Sequence, residues 1–210
     1  MSLKISKRPP LLLSALAAST LLGACAPLLI GGAMVGGSMM VTDRRTSGTQ
    51  LEDQGIEMRA AKRADEAVGE RGHINVTSYN RLVLITGEVP TEADKAAVEL
   101  AVARVENVRS VVNELAIGSA TSIGNRSNDM LLTSKVKASM VDAKDVLTNA
   151  YKVVTERSVV YLMGRVSERE AGRATSIARG VSGVTKVVRV FEIVSEAELA
   201  DPQSKPAAKP

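Results

Sequence analysis

The groups in this chain that could do chemistry are few: one cysteine, Cys25, one histidine, His73, and carboxylates scattered among Lys and Arg. His73 falls in a predicted strand, which points to a structural role rather than to a histidine-based triad, and a single histidine excludes a multi-histidine metal centre. The carboxylates lie on predicted helix faces interleaved with basic residues, the pattern of a solvated surface rather than of an acid/base pair. Neither Gly31-Gly32 nor Gly36-Gly37 follows a strand or leads into Gly-Lys-Ser/Thr, so no phosphate-binding loop is expected. Three Tyr, one Phe and no Trp leave no stacking platform for nucleic acid. The expectation is a protein that is no enzyme, with no catalytic residue, cofactor, metal, nucleic acid or small-molecule substrate.

Cys25 is the residue whose neighbours specify a reaction. Lys4, Lys7 and Arg8 precede an uncharged apolar run from Leu11 to Leu22, and Gly23-Ala24 then lead into the thiol. A basic start, an apolar middle and a small-residue cut site are the parts of a secretion signal. Leu22-Gly23-Ala24-Cys25 resembles the lipobox of bacterial lipoproteins, which implies acylation of the thiol and cleavage before it. Loss of the three basic residues takes the formal net charge from +4 to +1. The acylated sole cysteine then leaves no disulfide, while several acyl chains anchor a protein firmly where one would not. Ala26 after the cysteine points, by the same resemblance, to the outer membrane. The rival is an uncleaved transmembrane helix, because no residue from Leu11 to Val41 is charged and Gly32-xxx-Gly36 suits helix packing in a bilayer. Residues 26–41 read as a Gly-rich tether, and Thr42–Asp53 as a polar, turn-rich junction.

Beyond the tether the chain repeats itself. Ile85-Thr86-Gly87-Glu88-Val89 matches Leu162-Met163-Gly164-Arg165-Val166 at an offset of 77. Past Pro90 the offset is 76, where Val105, Val108, Val111 and Val112 meet Val181, Val184, Val187 and Val188. In the first copy Ile56, Ala60, Ala64 and Ala67 recur at helical spacing. His73–Tyr79 and Arg81–Thr86 read as a hairpin turning at Tyr79-Asn80-Arg81, Thr91 caps a helix through Val105, and Val108–Ile117 is a third strand. The second copy gives a helix over Asp129–Val141, strands at Tyr151–Glu156 and Ser158–Met163, and a helix over Ser167–Val181 with a capping box at Ser167 and Glu170. A strand at Val184–Val194 completes it. The fold class is α+β: two tandem α-β-β-α-β domains, each a three-stranded mixed sheet with two helices on one face. The expected divisions are a signal at 1–24, a lipidated tether at 25–53, domains at 54–118 and 126–195, and a disordered tail at 196–210.

Two such repeats, each with Gly-x-Val before its second helix and a Val-x-x-Val-x-x-Val-Val ending, resemble BON domains. Lipobox, Gly-rich tether, the segment Asp43–Gln50 and two such domains resemble the dual-BON outer-membrane lipoproteins. Ile74–Thr77, Ser127–Asp129, Val153–Glu156, Leu162–Gly164 and Glu168–Ala171 carry the likeness. The resemblance implies a periplasm-facing, membrane-anchored protein that binds anionic phospholipid, acts at division sites, supports envelope integrity and catalyses nothing. It implies a possible envelope or division protein as partner, and the rival reading is an adaptor whose repeats bind another envelope protein.

Charge separates the two copies. Residues 56–117 carry ten acidic and eight basic groups, and residues 126–194 seven acidic and twelve basic. The second copy is therefore the one suited to an anionic surface. On its first helix Leu132, Val136 and Met140 define a core face, so Met130 and Leu131 point roughly 120–140° away from it. Lys135 and Lys137 flank that apolar tip, with Arg169 and Arg173 as a further positive rim. The rival is that Met130 or Leu131 folds back onto the first domain. Gly87 and Gly164 are expected as structural residues between strand and helix, in backbone of positive φ.

Overall fold

The computed structural model describes residues 43–201. The segment Leu22–Cys25, the expected Gly-rich tether at 26–41 and the last nine residues lie outside them. Among the described residues no helix is long and apolar enough to cross a membrane.

The repeat is realised as expected. The first domain runs α1 (Ser47–Val68), β1 (His73–Tyr79), β2 (Leu82–Val89), α2 (Glu92–Ala103), β3 (Ser110–Asn113) and β4 (Ala116–Ile117). The second runs α3 (Ile123–Asp142), β5 (Tyr151–Glu156), β6 (Val159–Val166), α4 (Glu168–Gly180) and β7 (Lys186–Ile193), followed by a short α5 (Glu196–Ala200). In each, a hairpin pairs antiparallel and the last strand joins its long member in parallel. The α-β-β-α-β class thus holds. The third strand of the first domain is broken at Glu114-Leu115 into β3 and β4, both along β2.

Two boundaries differ from expectation. The part of the expected junction from Ser47 to Asp53 is helix: Thr46 caps α1 by accepting from the Thr49 N–H, and the helix starts at Ser47. Likewise α3 starts six residues before Asp129, with Ser122 as its cap through the Asn125 N–H. Both caps sit at the repeat offset of 76, so the polar stretches before the apolar periodicity are helix starts. The expected tail also contributes structure, since Glu196–Ala200 is helical behind the Ser195 cap.

Each sheet buries both faces. Val83, Ile85 and Val89 of β2 pack with Ile56, Ala60, Ala64, Val98 and Val102 of the helices. The equivalent Val160, Leu162 and Val166 of β6 pack with Val136, Met140, Ala171, Ala174 and Ala178. The alternate residues face the other domain. Tyr79 and Leu84 meet Tyr161, Met163 and Val190 in one cluster, bordered by Leu82, Val112, Val154, Val159 and Val188. The sheets are stacked face to face with helices outside, giving four layers.

Polar contacts fasten that seam. Arg44 donates two bonds to Glu170, at 2.7 and 2.8 Å, and one to the Arg165 carbonyl at 2.9 Å. Glu170 also completes the capping box of α4. Its carboxyl is held below the usual range, first by the bonds from Arg44 and then by the Ser167 N–H. Arg45 pairs with Asp43 and Asp53 and lies over the Tyr79 ring at 4.3 Å. Burial pushes the Tyr79 hydroxyl up to about 12. The segment Asp43–Thr46 is therefore a clasp across both domains.

Candidate functional site

The surface expected to carry function is the outward face of α3. Leu132, Val136 and Met140 are buried, as the spacing requires. Met130 and Leu131 are 72% and 61% exposed, so neither is buried against the first domain, although Met130 borders a cavity with His73 and Asn75 of β1. The early start of α3 changes their setting. They lie mid-helix rather than at a tip, and Ile123 and Val141 extend the stripe at 81% and 65% exposure. At 100° per residue all four fall within about 100° of one another on the face opposite the core.

Between these side chains lie Ser127 and Ser134. Their hydroxyls donate back to the Ile123 and Met130 carbonyls, both at 3.0 Å, which turns the donors away from solvent. Lys135 and Lys137 are exposed on opposite flanks, and among the described residues neither has an ion-pair partner. An apolar stripe about 27 Å long, at 1.5 Å per residue, is thus edged by two unneutralised ammonium groups.

The two arginines of the expected rim are differently placed. Arg169 donates to Glu196 of α5 at 3.0 Å, and Arg173 to Asp145 at 2.8 Å. Both carboxyls are held below their ordinary values: Glu196 first by the Ser167 hydroxyl and then by Arg169, Asp145 first by Arg173. Arg169 and Arg173 are exposed but paired, so neither adds free positive charge to this face.

The two glycines lie inside strands rather than after them. Gly87, in β2 opposite Ile74, has a φ of +116°. Gly164, in β6 between Tyr151 and Phe191, has no positive φ; what it requires is room, since a Cβ there would stand 2.6 Å from the Ala150 carbonyl oxygen.

Residues 53–119 and 128–195 each match the BON domain. The chain belongs to the BON-domain family. It is 36% identical over 179 residues to the outer membrane lipoprotein DolP of Haemophilus influenzae, spanning 84% of this chain and 92% of that one. It is 34% identical over 154 residues to the 21 kDa hemolysin of Actinobacillus pleuropneumoniae, covering 72% and 79% of the two chains. The osmotically-inducible protein Y of Escherichia coli is 37% identical over 97 residues, 44% of this chain and 48% of that one.

With two BON domains in one chain, each position has an internal control. The counterparts of Ile123, Met130, Leu131 and Val141 in the first BON domain are Ser47, Gln54, Gly55 and Asp65. Every apolar residue of the α3 stripe is polar or glycine there. Helix α1 exposes Leu51 and Met58 at the positions of Ser127 and Ser134, but the neighbouring charges are mixed, with Arg59 bonded to Glu52 at 2.8 Å. Among the described residues, the second BON domain combines an apolar stripe, interrupted by Ser127 and Ser134, with lysines that lack an ion-pair partner.

A pair of residues that sequence reasoning missed holds the hairpins. Asn80 and Arg81, and likewise Arg157 and Ser158, adopt positive φ in two-residue turns. Asp53 accepts from both turn N–H groups of the first, each at 2.8 Å. Asp129, at the same repeat position, accepts from both of the second, at 2.9 and 2.8 Å. A buried carboxylate at the head of each core stripe thus stabilises a turn that non-glycine residues otherwise disfavour.

Proposed function

We propose that this is an outer-membrane-anchored lipoprotein facing the periplasm, whose second BON domain docks on anionic phospholipid through the outward face of α3. The observation that carries the reading is the α3 stripe with Lys135 and Lys137, set against its polar counterpart on α1. Met130 and Leu131 enter the acyl boundary while the lysines reach phosphate oxygens, each ammonium contributing about 1 kcal/mol near an anionic surface. The anchor and the envelope setting are supported by the Leu22–Cys25 pattern and by the likeness to a protein named an outer membrane lipoprotein. The same proposal includes support of envelope integrity and action at division sites, for which the family resemblance is the support.

Sedimentation with vesicles tests the docking, using the chain from Thr42 onward so that the acyl anchor does not contribute. Binding should require anionic lipid and weaken with salt. Leu131→Glu, and the pair Lys135→Glu with Lys137→Glu, should each lower it by at least about 30-fold, the equivalent of about 2 kcal/mol. Thermal unfolding should stay near wild type, because these side chains are exposed. Failure of the anchor-free chain to sediment with anionic vesicles would favour the adaptor reading.

The anchor has its own test. Cys25→Ala removes the only acyl acceptor thiol, so the variant should take up no labelled fatty acid and keep its apolar leader. Undiminished label would refute the lipobox.

A further inference from the structure

His73, Glu88 and Glu156 converge at the seam between the two BON domains. His73 and Glu88 face each other across the β1–β2 ladder, with His73 Nδ1 3.1 Å from Glu88 Oε2. Glu156 arrives from the end of β5 in the other domain. One ligand atom from each lies within 4.8 Å of the others. The carboxylates are nearly dry, Glu88 at 1% exposure and Glu156 at 6%. A lone histidine excludes only a multi-histidine centre, and a mixed nitrogen–oxygen set is a different case.

We propose that these three residues form a divalent-metal site of the zinc class that ties the two domains together. In a tetrahedral zinc shell, bonds of about 2.0–2.1 Å place the ligand atoms about 3.3 Å apart. His73 Nδ1 and Glu88 Oε2 already stand at about that spacing, 3.1 Å apart, and binding the ion would draw the set of three inward from within 4.8 Å. The ligands are also held from behind. The Thr121 N–H donates to Glu88 at 3.1 Å and the Thr121 hydroxyl to its other oxygen. Asn75 donates to Glu156 at 2.8 Å. Such second-layer bonds fix the orientation of metal-binding carboxylates. A cavity of about 240 Å³ adjoins His73 and Glu156, giving an entry path and room for water to complete the shell. Arg126 and Asp129 also line it and offset one another in charge.

The donor set selects the metal. One imidazole nitrogen with two carboxylates suits Zn²⁺, whereas Mg²⁺ and Ca²⁺ favour oxygen shells. Imidazole binds as the neutral ring, and any proton shared with Glu88 leaves to solvent. Because His73 and Glu88 belong to one domain and Glu156 to the other, the metal stabilises the stacked arrangement by mass action.

Untagged full-length protein in detergent, stripped by chelator and dialysed against Zn²⁺, Co²⁺ or Mg²⁺, tests this. The wild type should retain about one zinc ion per chain and melt higher with Zn²⁺ but not with Mg²⁺. With Co²⁺ it should show the visible bands of a low-coordinate nitrogen–oxygen site and no thiolate charge-transfer band. His73→Gln and Glu156→Gln should each weaken zinc binding by at least about tenfold. A wild type that binds no zinc and shows no cobalt bands overturns the site, whether or not the variants fold. Equal binding in both folded variants overturns the ligand assignment.

Discussion

Replacing Gly87 by Ala should destabilise the protein by about 3 kcal/mol or more, because two costs of about 1–3 kcal/mol coincide. The backbone at Gly87 has a φ of +116°, which side-chain-bearing residues rarely adopt. A Cβ there would also lie 1.9 Å from the His73 carbonyl oxygen, a backbone atom that cannot rotate away. Strand β1 would have to separate from β2, and β1 carries Ile74 and Val76 into the core. Gly164→Ala should cost less, about 1–2 kcal/mol, since its φ is ordinary and only the approach of the Ala150 carbonyl opposes it. Denaturant unfolding of the two variants measures both. A Gly87→Ala protein within about 0.5 kcal/mol of wild type would mean that β1 does not lie this close.

Asp53→Ala should be of similar size, about 3–5 kcal/mol, the usual cost of leaving a buried charge network unpaired. The Asp53 carboxylate receives the Ser78 hydroxyl at 2.7 Å, the N–H groups of Asn80 and Arg81, and Arg45 at 2.9 Å. Its removal strands the two turn donors and the buried Ser78 hydroxyl, and leaves the Arg45 guanidinium with Asp43 as its one remaining carboxylate. Asp129→Ala strands only the donors of Arg157 and Ser158, which corresponds to about 2 kcal/mol. The order, Asp53 above Asp129, is the result to check by chemical unfolding. The reverse order would remove Arg45 and Ser78 from the account of the first hairpin.

These two sites mark what was legible before the structure. The element order, the caps at Thr91 and Ser167 and the core face of α3 follow from periodicity and local hydrogen bonding, which depend on near neighbours in the chain. The aspartates were hidden because a carboxylate in a charged helix reads as surface. Yet Asp53 precedes Ile56 and Ala60, and Asp129 precedes Leu132 and Val136, at core spacing and in both copies. A charge continuing an apolar stripe is the pattern that could have found them.

The seam between the sheets was hidden for another reason. Leu82–Ile85 and Val159–Met163 are continuous apolar runs, the mark of strands buried on both faces. Their β-branched composition suggested alternation, and no local pattern says which partner covers a second face. The clasp at Arg44 depends on a residue 126 positions away. The pairing of Arg169 with Glu196 depends on a helix that composition assigned to a tail. The α3 stripe itself was only partly visible, because helix starts are the least certain feature of a sequence reading.

The most direct test of membrane docking exploits the absence of tryptophan from the chain. Leu131→Trp places a single indole on the α3 stripe, and Leu51→Trp places one at an exposed position of α1 in the other BON domain. Each variant is mixed with phosphatidylglycerol vesicles carrying brominated acyl chains. The expected result is a blue shift and strong quenching for Leu131→Trp, with neither for Leu51→Trp. Equal quenching of the two, or quenching of Leu51→Trp alone, would contradict docking through the second BON domain.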